Sequence, residues 1–163
     1  MGMRAVYGFL KNGKYKVTET NFDGAYEDLG NKIVDFINTT TIKKMNKIFE
    51  KIILVDVIAV ATKEQIKECK RYANLEIGTR KLTDFNCLLF KSKGDLRPYR
   101  DKNLKYMEDH QTEIGKYFYE YIINLDDNTL EIRQYGDIIL RFDLLDIPKS
   151  WIKQCDNVDM NSK

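Results

Sequence analysis

One cysteine and the single histidine of the chain could form a nucleophilic site. Cys87 lies in the run Phe85-Asn86-Cys87-Leu88-Leu89-Phe90, with His110 as a candidate base and Asp84 as a candidate orienting acid. A cysteine nucleophile needs a base that holds the thiolate and an acid that orients the base. The apolar neighbours of Cys87 instead favour an inert, buried cysteine, since they disfavour the thiolate. We therefore predict that Cys87 is buried and unreactive. A Cys-dependent hydrolase is accordingly the last of the three functions that we consider.

Cationic side chains cluster in two places along the chain. Three lysines follow one another at four-residue spacing on a predicted helix, Lys43, Lys47 and Lys51. Segment 91–105 mixes further cations with an aromatic residue, namely Lys91, Lys93, Arg97, Tyr99, Arg100 and Lys102. Clustered cations can contact several phosphates at once, and Tyr99 or Tyr106 could stack on a base. We predict that macromolecular binding uses this loop and this helix face. The alternative is a solvated loop, because Asp95 and Asp101 weaken the field.

A second polar group surrounds the start of the first predicted helix. Arg4, Asn21, Asp23 and Tyr26 could converge there, where unpaired backbone amides attract an anion, and form a small-ligand or phosphate pocket. The alternative is structural: Asp23 caps the helix and Asn21 shapes the turn before it. A capping carboxylate would itself repel an anion at this position.

Composition excludes several classes of protein. The chain has 163 residues, and its 27 basic and 25 acidic residues leave a net charge of +2. A DNA mimic would be strongly acidic and a general nucleic-acid coat strongly basic. Three scattered cysteines and one histidine do not form a zinc motif, so we expect no metal and no cofactor. The unpaired cysteines, together with the lack of a signal pattern or a long apolar stretch, predict a cytoplasmic protein without membrane contact.

The first predicted elements are a hairpin and a helix. Asn12-Gly13 stands between two β-prone runs and predicts a type I′ turn, hence a hairpin over residues 4–20, because both residues accept positive φ. Apolar residues at helical spacing predict a helix over residues 25–38. Gly30 within it costs about 1 kcal/mol relative to alanine, which indicates a close packing contact.

Three further segments precede the C-terminal strands. The apolar pattern from Ile42 to Ile53 predicts a second helix, and Thr62-Lys63-Glu64-Gln65 is a capping box that opens a third, over residues 63–73. Segment 54–60 is apolar and β-branched, so periodicity allows either a buried strand or a continuation of the helix. Segment 91–105 contains Gly94 and Pro98 and is expected to be an exposed loop with a short helix near its end.

The C-terminal part predicts a β-meander, with strands at 117–125, 130–135 and 138–142, followed by a short helix over 148–155. Neither strand group can bury an apolar face alone. We therefore predict an α+β fold in which the hairpin and the meander build a single antiparallel sheet, with the helices packed on one face. The domain is expected to span residues 1–156, with 157–163 as a frayed tail.

Several short motifs stand at the two ends of the chain. They are Met1-Gly2-Met3-Arg4, Gly8-Phe9, Gly13-x-Tyr15-Lys16 and Asn21-Phe22-Asp23-Gly24-x-Tyr26-x-x-Leu29-Gly30, and later the strands at 119–126 and 130–132. In these motifs the chain resembles a set of hypothetical proteins from phages, prophages and bacteria, and it departs from them by Ala25-Tyr26 where they have Ser-Tyr-Pro. The resemblance implies a mobile-element protein that acts on host machinery, and it supplies no catalytic residue.

We accordingly expect a small, non-catalytic binding protein that inhibits a host defence complex, with a CRISPR effector as the first candidate, by steric or allosteric binding. The expected partner is a host protein or a ribonucleoprotein complex. The second-ranked function is an RNA- or nucleotide-binding accessory protein that uses the basic loop. Salt dependence distinguishes the two, because phosphate binding weakens steeply with salt and an apolar interface does not.

Overall fold

A computed structural model describes residues 3–20 and 22–161. Its fold is α+β, as predicted. The described strands are β1 (Ala5–Lys11), β2 (Lys14–Thr20), β3 (Ile53–Val55), β4 (Tyr106–Glu108), β5 (Tyr119–Asn124), β6 (Thr129–Gln134) and β7 (Asp137–Asp143). The described α-helices are α1 (Asn31–Asn38), α2 (Ile42–Lys51), α3 (Lys63–Cys69), α4 (Phe85–Leu88), α5 (Arg97–Asp101) and α6 (Trp151–Asn161).

The hairpin and the meander share one five-stranded sheet, in the order β2-β1-β5-β6-β7. Three of its four strand pairings are antiparallel, as predicted, but β1 and β5 run parallel, with Ala5 opposite Tyr119 and Leu10 opposite Asn124. The sheet is therefore mixed. A parallel pair cannot be closed by a tight turn, so the chain between β1 and β5 forms a long crossover connection that contains β2 and helices α1 to α5.

A second, two-stranded sheet lies within this crossover. Its strands β3 and β4 are parallel, and Ile53 lies opposite Tyr106. This sheet was not predicted. It also resolves the ambiguity of segment 54–60, because only Leu54 and Val55 continue a strand, and the residues after them form a turn rather than a helix.

Side-chain caps begin several of the described helices, but not the first one. The capping box at Thr62 is confirmed: its hydroxyl accepts the Gln65 N–H, and the Gln65 side chain accepts the Thr62 N–H. At the start of α2, the Thr41 hydroxyl accepts the Lys44 N–H. Asp23, however, does not cap the first helix. The chain adopts a positive φ of 57° there, and the helical chain begins with a π-helical turn after Ala25.

Helices and sheet come close together at Gly30, at the junction between that π-helical turn (Tyr26–Gly30) and α1. A Cβ on this residue would lie 2.5 Å from Trp151 Cη2 and 3.3 Å from Tyr121 Cε1. The ring of Tyr26 packs edge-on against both aromatic rings. The predicted packing contact at Gly30 is thus confirmed, and α6 reaches the sheet through it.

The other face of the sheet has a small apolar centre, Val6, Val17 and Ile122, next to segment 109–118. Glu120 fastens that segment, because its buried carboxylate accepts the N–H groups of Gly115 and Gly136 at 2.6 and 2.7 Å. The main core lies on the opposite face, where α1 and α6 pack. Segment 157–161, which we expected to belong to a frayed tail, is helical and forms the end of α6.

We predict that Gly30→Ala destabilises the protein although alanine is the better helix former. The added methyl group must displace the buried Trp151 ring, and overpacking of this kind costs about 1–3 kcal/mol, more than the helix-propensity gain. The free energy of unfolding in urea measures the effect. Lys32→Ala, at an exposed position of the same helix, is the control and should leave stability nearly unchanged. A Gly30→Ala variant at least as stable as the parent would contradict the close contact.

Candidate functional site: the cationic surface around helix α5

Segment 91–105 is packed against the body of the protein. Leu96, Tyr99 and Leu104 are buried in the main core. The Tyr99 hydroxyl donates to the Tyr106 carbonyl oxygen at 2.8 Å, and the Gly94 N–H donates to the hydroxyl of Tyr7 in β1. The predicted exposed loop is therefore a fixed element with α5 on its outer side, and the cations of α5 are presented from a rigid backbone.

Three cavities surround α5, of about 560, 370 and 590 Å³. We call their charged lining residues the α5 surface. It contains eight basic residues, Lys32, Lys51, Arg71, Lys91, Arg97, Arg100, Lys102 and Lys105. It contains four acidic residues, Asp35, Glu68, Asp95 and Asp101. The surface has a formal charge of +4, whereas the whole chain has +2. Positive charge is thus concentrated on one side of the molecule.

The structure joins the two predicted cation clusters at one point. Lys51, at the end of α2, lines the same cavity as Lys102 because α2 packs against α5. Lys43 and Lys47 are exposed on α2 but do not line these cavities. Lys91 is exposed next to α5. Of the three α2 lysines at four-residue spacing, Lys51 therefore belongs to the α5 surface and the other two do not.

Two predicted binding residues are not available for a partner. The side chain of Lys93 is buried, and its ammonium group lies 3.3 Å from Glu108 Oε1 and 3.0 Å from Asn86 Oδ1. Tyr99 is buried with its hydroxyl bonded to the backbone, and Tyr106 is buried as well, so neither ring can stack on a base. The structure therefore places Lys93 against a buried carboxylate and Tyr99 in the core, rather than at the exposed positions that the sequence predicted.

The two arginines of α5 have different roles. The guanidinium group of Arg100 donates to the hydroxyls of Thr39 and Thr40, each at 2.8 Å, and covers the Phe36 ring. It therefore ties α5 to the end of α1, and its side chain is only 18% exposed. Arg97 pairs with Asp95, two residues before it, and is 64% exposed. Arg97 is available to a partner, and Arg100 holds the surface together.

The N-terminal polar group does not converge. Arg4 pairs with Glu19 at 3.5 Å and lies over the Tyr117 ring. Tyr26 instead makes hydrogen bonds with Gln134 and Asp159. Asp23 lines a cavity of about 160 Å³ whose other charged residues are Lys32 and Lys93, and Asn21 lies outside the described residues. The small-ligand pocket predicted from Arg4, Asn21, Asp23 and Tyr26 is therefore not assembled from its described members.

The thiol site is not assembled either. The Cys87 thiol donates to the Asn74 carbonyl oxygen, and the Asp84 carboxylate accepts the N–H groups of Thr79 and Asn86. His110 lies elsewhere, 3.4 Å from Glu108 Oε2 and 4.0 Å from Glu19 Oε1. The predicted burial of Cys87 is confirmed. Within residues 3–20 and 22–161, no group of three or more His, Cys, Asp or Glu side chains is placed to hold a metal ion.

Sequence reasoning missed two features of this side of the molecule. Lys32, Arg71 and Lys105 belong to the α5 surface, although each comes from outside the two cation clusters or from the very end of one. Segment 54–60 was expected to be either a buried strand or a continuation of the helix, yet Ile58 is 85% and Val60 74% exposed on the turn that follows β3. Asp56, which interrupts this apolar run, was the available signal for a turn.

Comparison of the chain with protein-family models, curated proteins and solved structures found no match in any of the three. Over the part of the chain that the structure describes, no helix is long and apolar enough to cross a bilayer.

We predict that none of the three cysteines reacts with a thiol reagent in the native protein. Burial raises the pKa of Cys69 to about 11 and that of Cys155 to about 12, and it also raises the pKa of Cys87, so the reactive thiolate is disfavoured at all three. Labelling followed by mass spectrometry should detect adducts only after denaturation. Fast native labelling at Cys87, accompanied by loss of an activity, would instead support the hydrolase.

We further predict that Arg100→Ala and Arg97→Ala differ in their effect on stability. Arg100→Ala removes charge-assisted hydrogen bonds between α5 and α1 and should lower the free energy of unfolding by about 1 kcal/mol. Arg97→Ala removes only an exposed pair and should leave the melting temperature unchanged. The melting temperatures of the two variants and of the parent, measured by thermal unfolding, test this prediction. Equal melting temperatures would show that Arg100 does not clamp the surface.

Proposed function

We propose that this chain is a non-catalytic binding protein that inhibits a host defence complex by docking on it through the α5 surface. The observation that carries this proposal is the concentration of positive charge around α5, where α1, α2, the 3-10 turn Lys70–Tyr72 and segment 91–105 contribute cations to adjoining cavities. A chain so close to neutral must concentrate its cations to attract an anionic partner.

The rigidity of this surface supports a binding role. Tyr99 and Leu96 are in the core, and Arg100 clamps α5 to α1. A surface that is already ordered loses little conformational entropy on association, so more of the contact energy contributes to affinity. Cys87, Asp84 and His110 each contact different residues, so they do not form a nucleophilic site together. This arrangement also favours binding over nucleophilic catalysis.

A CRISPR effector remains the first candidate target, on the strength of the resemblance to phage and prophage proteins. Such effectors hold their nucleic acid in a positively charged channel. A cationic surface would not enter that channel and would dock on an anionic outer face. Inhibition would then follow from obstruction of a moving or assembling part. RNA binding is the competing function, and the same surplus of cations favours it.

We predict that the double variant Lys91→Glu/Lys102→Glu weakens capture of the host partner at least about tenfold, because it places like charges opposite one another. Both lysines are exposed, so the melting temperature should not change. The measurement is quantitative mass spectrometry of proteins retained by the immobilised variant from lysate of a bacterium with active CRISPR immunity. Protection of a targeted phage in plaque assays should fall in parallel.

The matched control is Lys149→Glu/Lys153→Glu, which changes the net charge equally at exposed positions that do not line the α5 cavities. If both double variants lose capture equally, the loss follows from the change in net charge. That result would contradict a role for the α5 surface. Capture that disappears after ribonuclease treatment and falls steeply with salt would favour RNA binding.

A further inference from the structure

A group of aliphatic side chains stands exposed beyond the small β3–β4 sheet. We call Ile53, Val57, Ile58 and Val60 the apolar tip. Scattered exposed aliphatic residues are ordinary, but three within four positions, all on one turn, are not. The fold buries little of Ile58 and Val60, which are 85% and 74% exposed, and it leaves Ile53 and Val57 partly exposed. Their role must therefore be sought in contacts with another molecule.

The backbone of the tip is fixed. The Asp56 carboxylate accepts the Ile58 N–H at 3.0 Å, and the Asp56 carbonyl oxygen accepts the Ala59 N–H. The Val55 carbonyl accepts the Asp109 N–H on one side, and the Ala61 N–H donates to Thr83 on the other. The apolar side chains are therefore displayed on an ordered turn, as in an anchor that enters a pocket with little loss of entropy.

The tip adjoins the α5 surface. The Ile53 N–H donates to the Lys105 carbonyl oxygen at 2.7 Å, and Lys105 lines the cavity that also contains Lys51 and Lys102. From Ile53 to Val57 the chain can extend at most about 13 Å, at 3.3 Å per residue. Both features therefore fit within one interface of standard size, which covers about 800 Å² on each partner.

We propose that the apolar tip and the α5 surface together dock on a protein face that presents an apolar pocket bordered mainly by acidic side chains. This inference rests on the proposed function and specifies the partner of the same site. Interfaces of this kind combine an apolar anchor with a charged rim of complementary sign. The cations around α5 form the rim, and Ile58 is the anchor.

The charges select a protein over the other possible occupants. Four carboxylates are interspersed among the eight cations of the α5 surface. Three of these carboxylates pair with neighbouring cations of the same surface, Asp95 with Arg97, Asp101 with Arg100 and Glu68 with Lys105. The surface therefore presents charges of both signs side by side. A protein face can match such a pattern, whereas an RNA backbone or an anionic membrane presents negative charge alone. A second copy of this chain would set cations against cations.

Site-specific photo-crosslinking tests which molecule the tip contacts. A photoreactive residue at position 58, in protein expressed in a CRISPR-active bacterium, should yield a nuclease-resistant adduct with one protein. Mass spectrometry of the adduct should locate the crosslink beside acidic residues of that protein. The same reagent at position 145 is the control, since Leu145 is 80% exposed on a similar Asp-stabilised turn. The adduct should form with the photoreactive residue at position 58 and not at position 145. Its yield should fall when Lys91→Glu/Lys102→Glu is also present.

Binding of the purified crosslinked protein then measures the contribution of the anchor. Ile58→Asp should weaken binding at least about tenfold, as expected for a buried anchor residue, and Leu145→Asp should change it less than about twofold. Both positions are exposed, so the melting temperatures should match that of the parent.

Three results would overturn the inference: nuclease-sensitive adducts, adducts between two copies of this chain, or Ile58-dependent sedimentation with vesicles of 70% phosphatidylcholine and 30% phosphatidylglycerol. If the lysine reversals weaken capture and Ile58→Asp does not, the inference about the tip fails and the proposed function stands. If the lysine reversals leave capture unchanged, the proposed function itself fails.

Discussion

The parallel pairing of β1 with β5 is the constraint on which the rest of the structure depends. It places Tyr7 and Tyr121 side by side in the core. Their hydroxyls extend to two different parts of the crossover, since the Tyr7 oxygen accepts the Gly94 N–H and the Tyr121 hydroxyl donates to the Gly24 carbonyl oxygen. One pair of neighbouring side chains thus fixes both the entry to the first helix and the approach to α5. The position of the cationic surface therefore depends on the pairing of β1 with β5 at the centre of the sheet.

Local signals in the sequence predicted two pieces of local structure correctly. Asn12 and Gly13 have the positive φ values, 52° and 72°, that the predicted hairpin turn requires, and the capping box at Thr62 forms with both hydrogen bonds. The direction in which β5 meets β1 has no local signal, because it depends on how about a hundred intervening residues fold. Asp23 failed as a cap for a related reason: the chain enters the helix through a π-helical turn, which shifts the first helical residue past it.

The candidate site was predictable only in part. Lys93 and Lys102 come from the same polar segment, yet one is buried against Glu108 and the other lines two cavities. Composition cannot distinguish such residues, since the difference arises from a carboxylate fifteen positions beyond Lys93. The four-residue spacing of the α2 lysines was correct as helical periodicity, but only Lys51 reaches the neighbourhood of α5. Position along a helix axis, as well as the face, decides which side chain joins a site.

The crossover also has a consequence for synthesis of the chain on the ribosome. The β1–β2 hairpin is complete by Thr20, but the strand that pairs with the other edge of β1 begins only at Tyr119. At typical elongation rates of 5–20 residues per second, roughly 5 to 20 seconds separate the two events. During that interval the edge of β1 offers unpaired backbone groups beside the apolar side chains of Val6 and Phe9. The nascent hairpin therefore exposes one unpaired edge until β5 is synthesised and pairs with it.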